Sequence, residues 1–182
     1  MAVDPRDQIW EAAYDTYYSA YFEEILADAL INRWQWVDEV TKVLVALTAS
    51  GSAISGWALW ADQNLKLIWT ILAGIAAILA IIHTSLTVPG RIKDQSDIRR
   101  WFSGLRIDLE TFRYRMQVDP QFPIEQFTSE LVELRRRFGE GNERLKNDIL
   151  ITKHLRTQCQ MELNERLGDK IIEQQANSGS TS

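Results

Sequence analysis

The sequence predicts an all-α membrane protein, a two-transmembrane helical hairpin with N- and C-terminal cytoplasmic helices, assembled as an oligomer. Three observations support this prediction. The central part of the chain carries almost no charge, whereas both ends are rich in charge. Apolar residues outside the centre recur at the spacing of amphipathic helices, and no stretch alternates as a β-strand does. Tryptophans flank the charge-poor part, as they do at membrane–water interfaces.

Charge divides the 182 residues into three parts. Residues 1–33 have a net charge of −5, residues 34–90 of −1 and residues 91–182 of +1. The chain averages, 46% hydrophobic and 25% charged residues, hide this division. From it we predict four parts: a cytoplasmic amphipathic acidic helix over 1–36, a hairpin over 37–90, a cytoplasmic helical region over 91–175 and a disordered tail over 176–182.

The first element predicted is a long amphipathic helix over residues 5–32. Asp4 is suited to the N-cap and Pro5 to the first helical position. Apolar residues then recur at helical spacing at Ile9, Ala13, Tyr17, Tyr21 and Ile25. We interpret this aromatic stripe as core packing, with the acidic residues on the outer face.

Two uncharged runs follow, and they predict the hairpin. Residues 43–60 hold eighteen residues and residues 67–88 hold twenty-two, none of them Asp, Glu, Lys or Arg. As helices they span roughly 27 and 33 Å, enough for the hydrocarbon core of a bilayer. The alternative is a buried hairpin in a soluble domain, which the flanking tryptophans disfavour.

The orientation of the hairpin follows from its basic residues. The six-residue turn between the spans holds one, Lys66, whereas seven lie on the other side: Arg33, Lys42, Arg91, Lys93, Arg99, Arg100 and Arg106. Because basic residues are enriched in cytoplasmic loops, we predict that both termini are cytoplasmic.

The remaining elements are predicted helices. Pro89-Gly90 is expected to end the second span, and a helix over 92–118 follows it. Residues 119–123, Asp-Pro-Gln-Phe-Pro, predict a turn and a new helix start. Gly139 and Gly141 allow a kink or a break, after which apolar spacing continues a helix to about residue 174.

Each predicted span has one face of small residues and hydroxyls. We select Thr48, Ser52, Ser55 and Thr84 as candidate pore-lining residues. A hairpin of two helices cannot enclose water by itself, so a pore requires several copies. The alternative is that these faces only pack helix against helix, as small-xxx-small surfaces do.

Arginines are the candidate ligand-binding residues of the cytoplasmic part. The run Arg135-Arg136-Arg137 suits a phosphate-bearing ligand, because guanidinium groups bind phosphate oxygens bidentately. Arg113 and Arg115 join this run if the two helices pack together. The alternative is a salt-bridged face with nearby glutamates.

Motifs of catalysis and metal binding are not found in the sequence. It contains no Gly-rich phosphate loop, no Gly-x-Ser-x-Gly and no His-Glu-x-x-His. The single cysteine, Cys159, and the two histidines, His83 and His154, lack the spacing of metal ligands. We therefore expect neither an enzyme nor a metal or other cofactor.

The layout of an acidic helix, two spans with a short outer turn, Pro-Gly and long charged helices resembles the SLATT family over roughly residues 5–175. These are bacterial two-transmembrane effectors associated with nucleotidyltransferase and nucleotide-sensing modules. The resemblance implies a pore-forming effector of antiphage defence that permeabilises the inner membrane. It also implies partners: membrane lipid, further copies of the chain, and a nucleotide or oligonucleotide made by a partner nucleotidyltransferase.

Two functions from different classes remain open at this stage. The first is the oligomeric pore-forming effector that the resemblance implies. The second is a membrane anchor or scaffold that docks a cytoplasmic partner protein and conducts nothing. Ion flux separates the two, since only the first predicts it.

Overall fold

The structure, a computed structural model, describes residues 4–54, 87–145 and 148–179, with seven isolated helical residues between the first two ranges. Within the described residues there are four extended helices: α1 (Pro5–Ile54), α2 (Val88–Val118), α3 (Ile124–Leu145) and α4 (Lys153–Gly179). No described residue lies in a β-strand. The prediction of an all-α chain is therefore confirmed.

The two predicted spans are only partly covered by the described residues. Of the first, α1 includes residues 43–54; of the second, only residues 70, 71, 74, 75, 77, 78, 81, 87 and 88 are described. Among the described residues, no helix combines the length and the apolar character needed to cross a membrane. The hairpin stays a prediction.

Helix α1 begins where the sequence predicts and runs further than expected. The backbone N–H of Arg6 donates to Asp4 Oδ1 at 2.9 Å, so Asp4 caps a helix that starts at Pro5. The predicted end near residue 32 is wrong, because the helix continues to Ile54. No proline lies between Pro5 and Pro89, so nothing in this stretch removes a helical hydrogen bond.

Helix α2 begins at Val88, so Pro89 and Gly90 lie in its first turn. The interpretation of Pro89-Gly90 as the end of the preceding helix is corrected accordingly. Thr87, directly before the helix, has a φ of 45°, and its carbonyl accepts a hydrogen bond from Arg91 N at 3.1 Å. Proline is tolerated in a first turn because its missing N–H would have no helical partner there.

The turn over residues 119–123 is confirmed. Two hydrogen bonds to Asp119 stabilise the turn. Its carbonyl oxygen accepts from Phe122 N at 3.2 Å, and its carboxylate accepts from Gln121 N at 3.1 Å. Helix α3 then begins at Ile124, directly after Pro123.

The second half of the cytoplasmic region differs from the prediction in three places. Helix α3 runs through Gly139 and Gly141 without a break. The chain instead leaves the helix at residues 148–152, where Asp148 Oδ1 accepts from Leu150 N and Thr152 Oγ1 accepts from Leu155 N. Helix α4 continues to Gly179, into the segment predicted to be disordered. Side-chain oxygens that capture backbone N–H groups create the unpredicted break.

Residues 1–30 and 95–182 form one compact unit. Its core takes apolar side chains from all four helices, among them Leu26, Phe102, Leu131 and Leu163. Helices α1 and α2 are antiparallel, since Arg99 pairs with Asp28 whereas Arg113 lies over Trp10. Helices α2 and α3 are antiparallel too, with ring contacts between Phe112 and Phe127 and between Phe102 and Phe138. The unit is therefore a helical bundle.

Residues 31–94 form the second unit. Its described part includes the buried Trp34 and the 65% exposed Trp36, so only the second of these rings is free to lie at an interface. Lys42 Nζ contacts Asp38 Oδ2 at 2.5 Å. Thr41 donates to the carbonyl of Val37, which satisfies its buried hydroxyl within the helix.

Candidate functional site

The predicted condition for a shared arginine cluster is met, because α2 and α3 pack together, yet the five arginines do not converge. Successive residues on a helix point about 100° apart. Arg135, Arg136 and Arg137 therefore face three directions from α3. Each of the five candidates has its own surroundings, and these surroundings decide which one is available to a ligand.

Arg136 is committed to its own helix. It donates to both carboxylate oxygens of Glu133, at 2.6 and 2.8 Å, and also contacts Glu140. These partners raise the pKa of the guanidinium, and the Arg136 hydrogen bond lowers the pKa of the Glu133 carboxyl. Arg136 therefore belongs to a salt-bridged face with nearby glutamates, the alternative to a ligand-binding role.

Arg137 and Arg115 connect α3 with α2 by ion pairs. Arg137 Nη1 lies 2.7 Å from Asp108 Oδ2, and Arg115 Nη1 lies 2.7 Å from Glu130 Oε1. Arg137 also lies over the ring of Trp101 at 5.7 Å. Both arginines thus have carboxylate partners and help to join the two helices.

Arg113 faces α1 and not the other arginines. Its guanidinium carbon lies 5.0, 4.9 and 5.1 Å from the ring centroids of Trp10, Tyr14 and Tyr17. Its buried Nε has no hydrogen-bond partner among the described residues. Cation–π attraction is the interaction that holds this side chain, so we interpret it as a contact between α1 and α2.

Arg135 is the exception among the five, because among the described residues it has neither the carboxylate partners of three of them nor the aromatic contacts of Arg113. It is exposed and forms no ion pair within the described part of the chain. The residues one turn away on α3, at i±3 and i±4, are Leu131, Val132, Phe138 and Gly139, none of which is a carboxylate. Its charge is thus without a local partner.

Arg135 lines a cavity of about 310 Å³ between α1 and α3. The other lining residues are Ala12, Asp15, Thr16, Ser19 and Phe138. All six belong to the helical bundle unit. The cavity therefore combines one guanidinium, one carboxylate, two hydroxyls and one aromatic ring.

The α1 side of this cavity was not predicted from the sequence. A signal was present, because Ala12, Thr16 and Ser19 interrupt the aromatic stripe with small residues at i, i+4 and i+7. Small side chains on one helix face leave room against a neighbouring helix. The neighbour itself is more than a hundred residues away in the sequence.

The candidate pore residues are only partly placed by the structure. Thr48 and Ser52 lie on α1, whereas Ser55 and Thr84 lie outside the described residues. Their role in a pore remains a prediction.

The described residues contain no group of three or more His, Cys, Asp or Glu side chains arranged to hold a metal ion. Cys159 is buried in the core of the bundle. The unit of residues 1–30 and 95–182 is thus an all-α helical bundle with a cavity that Arg135 lines. No family model, no curated protein and no solved structure matches the chain.

Proposed function

We propose that the chain is a pore-forming membrane effector of a bacterial antiphage defence system. Several copies assemble in the inner membrane with both termini in the cytoplasm, and a nucleotide or oligonucleotide signal controls a leak through them. One observation carries the proposal: two uncharged runs of eighteen and twenty-two residues, joined by six residues, interrupt a chain otherwise built from amphipathic helices.

Exposed aliphatic side chains of the second unit support a membrane location. They are Val43, Val45, Ile71, Ile75, Ile78 and Ile81, with exposed fractions from 42 to 66%. Ile71, Ile75 and Ile78 follow helical spacing and lie on one side of a helix. A stripe of this kind is unfavourable in water and suits the acyl chains of lipid.

The pore itself would be lined by the hydroxyl faces of the spans, at Thr48, Ser52, Ser55 and Thr84. Small residues there let helices of neighbouring copies approach closely. Hydroxyls supply the polar surface that water and ions need. The resemblance to SLATT effectors supports this assignment, together with the control by a nucleotide.

Continuous helices would connect signal and pore. Residues 5–30 of α1 belong to the bundle and residues 31–54 to the second unit. Helix α2 likewise begins in the second unit and continues into the bundle. A rotation of α2 about its axis would turn the residues at its start, so a change in the bundle would alter the pore. Disulfides that pin α2 between subunits should then abolish opening.

An anchor or scaffold is the second candidate function. It is favoured by exposed apolar side chains on α2, where Ile107, Tyr114 and Val118 follow helical spacing. Such a ridge is suited to docking a partner protein. In this case the hairpin only holds the bundle at the membrane.

Membrane potential tests the proposal. The chain is expressed from a tightly controlled promoter in a bacterium, and depolarisation is followed with a voltage-sensitive dye. We expect depolarisation that is lost when Ser52 and Ser55 are both replaced by Leu. Ile78→Leu, on the aliphatic face, is the matched control and should depolarise as the parent does.

The scaffold makes the opposite prediction. It keeps its function when the hairpin is replaced by an unrelated two-span hairpin, and it never conducts. Depolarisation that persists in the Ser52→Leu, Ser55→Leu variant would remove these serines from any pore. A purified chain that inserts into liposomes but releases no ions with any nucleotide added would contradict the proposed pore.

A further inference from the structure

We infer that the cavity between α1 and α3 binds a single nucleotide unit, with its phosphate on Arg135 and its base against Phe138. The inference rests on the proposed function, since it assigns a place and a size to the signal. It starts from the one exposed candidate arginine that has no carboxylate partner among the described residues. This arginine is exposed and lines a cavity that is partly open to solvent.

The charge of Arg135 selects an anion. Arg115, Arg136 and Arg137 each contact a carboxylate at 2.7 Å or less, so an incoming phosphate would have to displace an existing partner. Arg135 requires no such displacement. Asp15 lines the same cavity but makes no ion pair with it. The guanidinium is thus free to form the bidentate contact that phosphate oxygens accept.

The rest of the lining suits the nucleoside part. Phe138 offers a ring on which a flat base can stack, and it is itself held by an edge-on contact with Phe102 at 6.0 Å. Ser19 can donate and accept. The Thr16 hydroxyl donates to the carbonyl of Ala12 at 2.7 Å and can accept from a ligand.

Asp15 fixes the direction in which the ligand lies. A carboxylate repels phosphate but accepts hydrogen bonds from sugar hydroxyls and from amino groups of a base. The phosphate therefore lies at the Arg135 end and the hydroxyls lie toward α1. A ligand with an anionic group at one end and hydrogen-bond donors at the other end matches a nucleoside phosphate.

The volume of the cavity suits a ligand of one nucleotide unit. About 310 Å³ is at the lower end of the range found for small-molecule sites, roughly 300–1,000 Å³. A single nucleotide fits such a cavity. If the signal is an oligonucleotide, one of its units enters and the others remain outside.

Binding of adenosine monophosphate to the full chain in phosphatidylcholine nanodiscs, measured by titration calorimetry, tests the inference. We expect saturable binding that weakens by about tenfold or more in Arg135→Gln, because a charge-assisted contact is lost. Arg136→Gln, its neighbour on the same helix, is the matched control and should bind as the parent does. Adenosine and inorganic phosphate should each bind more weakly than the nucleotide.

A second variant keeps the test independent of the arginine. Ser19→Leu fills the cavity from α1 without touching Arg135 and should also abolish binding. Circular dichroism of both variants confirms that the helices are retained. Binding that is equal in the parent and Arg135→Gln, or absent from the parent, would overturn the inference.

Two further outcomes count against a nucleotide. If inorganic phosphate binds as tightly as adenosine monophosphate, the cavity is an anion site with no nucleoside contact. If phosphatidylglycerol in the nanodisc abolishes nucleotide binding in an Arg135-dependent manner, the ligand is a lipid headgroup. Either result overturns the assignment.

Ion release from liposomes, measured on the same preparations, separates this inference from the proposed pore. Leak without nucleotide binding means that the cavity assignment fails while the pore stands. Nucleotide binding at Arg135 without leak under any condition means that the pore fails while the binding site stands.

Discussion

Gly141 shows how one residue sets the fit between two helices. A Cβ atom built on it would lie 2.9 Å from atoms of both Trp101 and Phe102 on α2. Phe102 is fully buried, so its ring cannot move aside without disturbing the core. The glycine is thus required by close approach, although it lies within a regular helix where glycine is unfavourable.

Gly141→Ala should lower the free energy of unfolding by about 1–3 kcal/mol, the usual cost of overpacking a core. Gly139→Ala is the control, since no atom lies within 4 Å of its added Cβ. It should raise stability by about 0.5–1 kcal/mol through helix propensity. Thermal unfolding in detergent, followed by circular dichroism, measures both. Equal effects of the two variants would show that Trp101 and Phe102 do not restrict the site.

Glu23 is a buried carboxyl on α1, and one of its oxygens, Oε2, has no hydrogen-bond partner among the described residues. Burial raises the pKa of this carboxyl from its usual value of 4.5, and the positive charge of Arg156 on α4 offsets part of the rise. The folded chain therefore binds this proton more tightly than the unfolded chain. As pH rises from 4.5 through the raised pKa, the free energy of unfolding decreases.

Glu23→Gln should consequently be more stable than the parent at pH 7.5, because it removes a buried charge while retaining the shape. The advantage should shrink as the pH is lowered toward 4.5, where the parent carboxyl takes up its proton. Glu24→Gln is the adjacent control and should be destabilising at pH 7.5, since Glu24 pairs with Arg106 at 2.6 Å. Melting temperatures at several pH values test this. A parent that is more stable than Glu23→Gln at pH 7.5 would contradict it.

At the scale of elements, α2 is joined to its neighbours by arginines with different partners. Arg106 forms an enclosed contact with α1: its Nε lies 2.6 Å from Glu24 Oε2, both side chains are less than 20% exposed, and its guanidinium carbon lies 5.0 Å from the centroid of the Tyr21 ring. Arg115 and the Asp108–Arg137 pair face α3 instead. Helix α2 is therefore held on two sides.

Arg106→Gln should cost about 1–3 kcal/mol of stability, because it leaves the carboxylate of Glu24 without its strongest partner in a poorly hydrated place. Arg100→Gln is the matched control on the same helix. That side chain is 83% exposed and pairs only at i,i+3 with Asp97, so its removal should change the melting temperature little. Similar losses in both variants would mean that burial of the Arg106 pair contributes nothing.

The break between α3 and α4 is an element that the sequence pattern did not reveal. Apolar spacing predicted a helix through Ile149, yet this side chain is 65% exposed in the structure. Buried Asp148 accepts from Gln95 Nε2 at 2.8 Å and from Leu150 N. The tertiary partner of Asp148 lies on α2, so periodicity along the chain could not indicate it.

Thr152→Ala should destabilise the start of α4 by about 1 kcal/mol, the typical cost of losing an N-cap hydroxyl. Thr152 Oγ1 accepts from Leu155 N at 3.2 Å, the contact expected of a cap. Thr157→Ala, whose hydroxyl donates within the same helix to Lys153 O, is the comparison and should have a smaller effect. Hydrogen exchange at Leu155 reports the loss locally, and unchanged protection there would contradict the assignment.

The chain divides into two units, which differ in how their apolar side chains are buried. Among the described residues, the hydrophobic core of the bundle includes none from 31–94. The second unit instead exposes aliphatic side chains such as Ile75 and Ile81. We therefore expect the bundle to fold without residues 31–94.

A chain in which a long Gly/Ser linker replaces residues 31–94 should therefore fold as a helical bundle and remain in the supernatant after ultracentrifugation. The full chain should sediment with membranes. Far-UV circular dichroism and a cooperative melting transition identify the folded bundle. If the shortened chain aggregates or melts without cooperativity, residues 31–94 contribute to the core.

The sequence by itself determined the features that depend on neighbours along the chain. Asp4-Pro5 marks the start of α1, residues 119–123 form a turn, and the apolar stripes select the core face of each helix. The uncharged runs that predict the hairpin are likewise local. Caps, turns and helical periodicity act over a few residues, so they can be recognised without a fold.

Only the tertiary structure decided which arginine is available and where a ligand could lie. Arg135, Arg136 and Arg137 are chemically alike in the sequence, and they differ in their surroundings: Arg136 pairs within α3, Arg137 pairs with α2, and Arg135 lines the cavity beside α1. The cavity joins Ser19 to Arg135 across more than a hundred residues. Ion pairs and cavities between helices depend on packing direction, which no local pattern specifies.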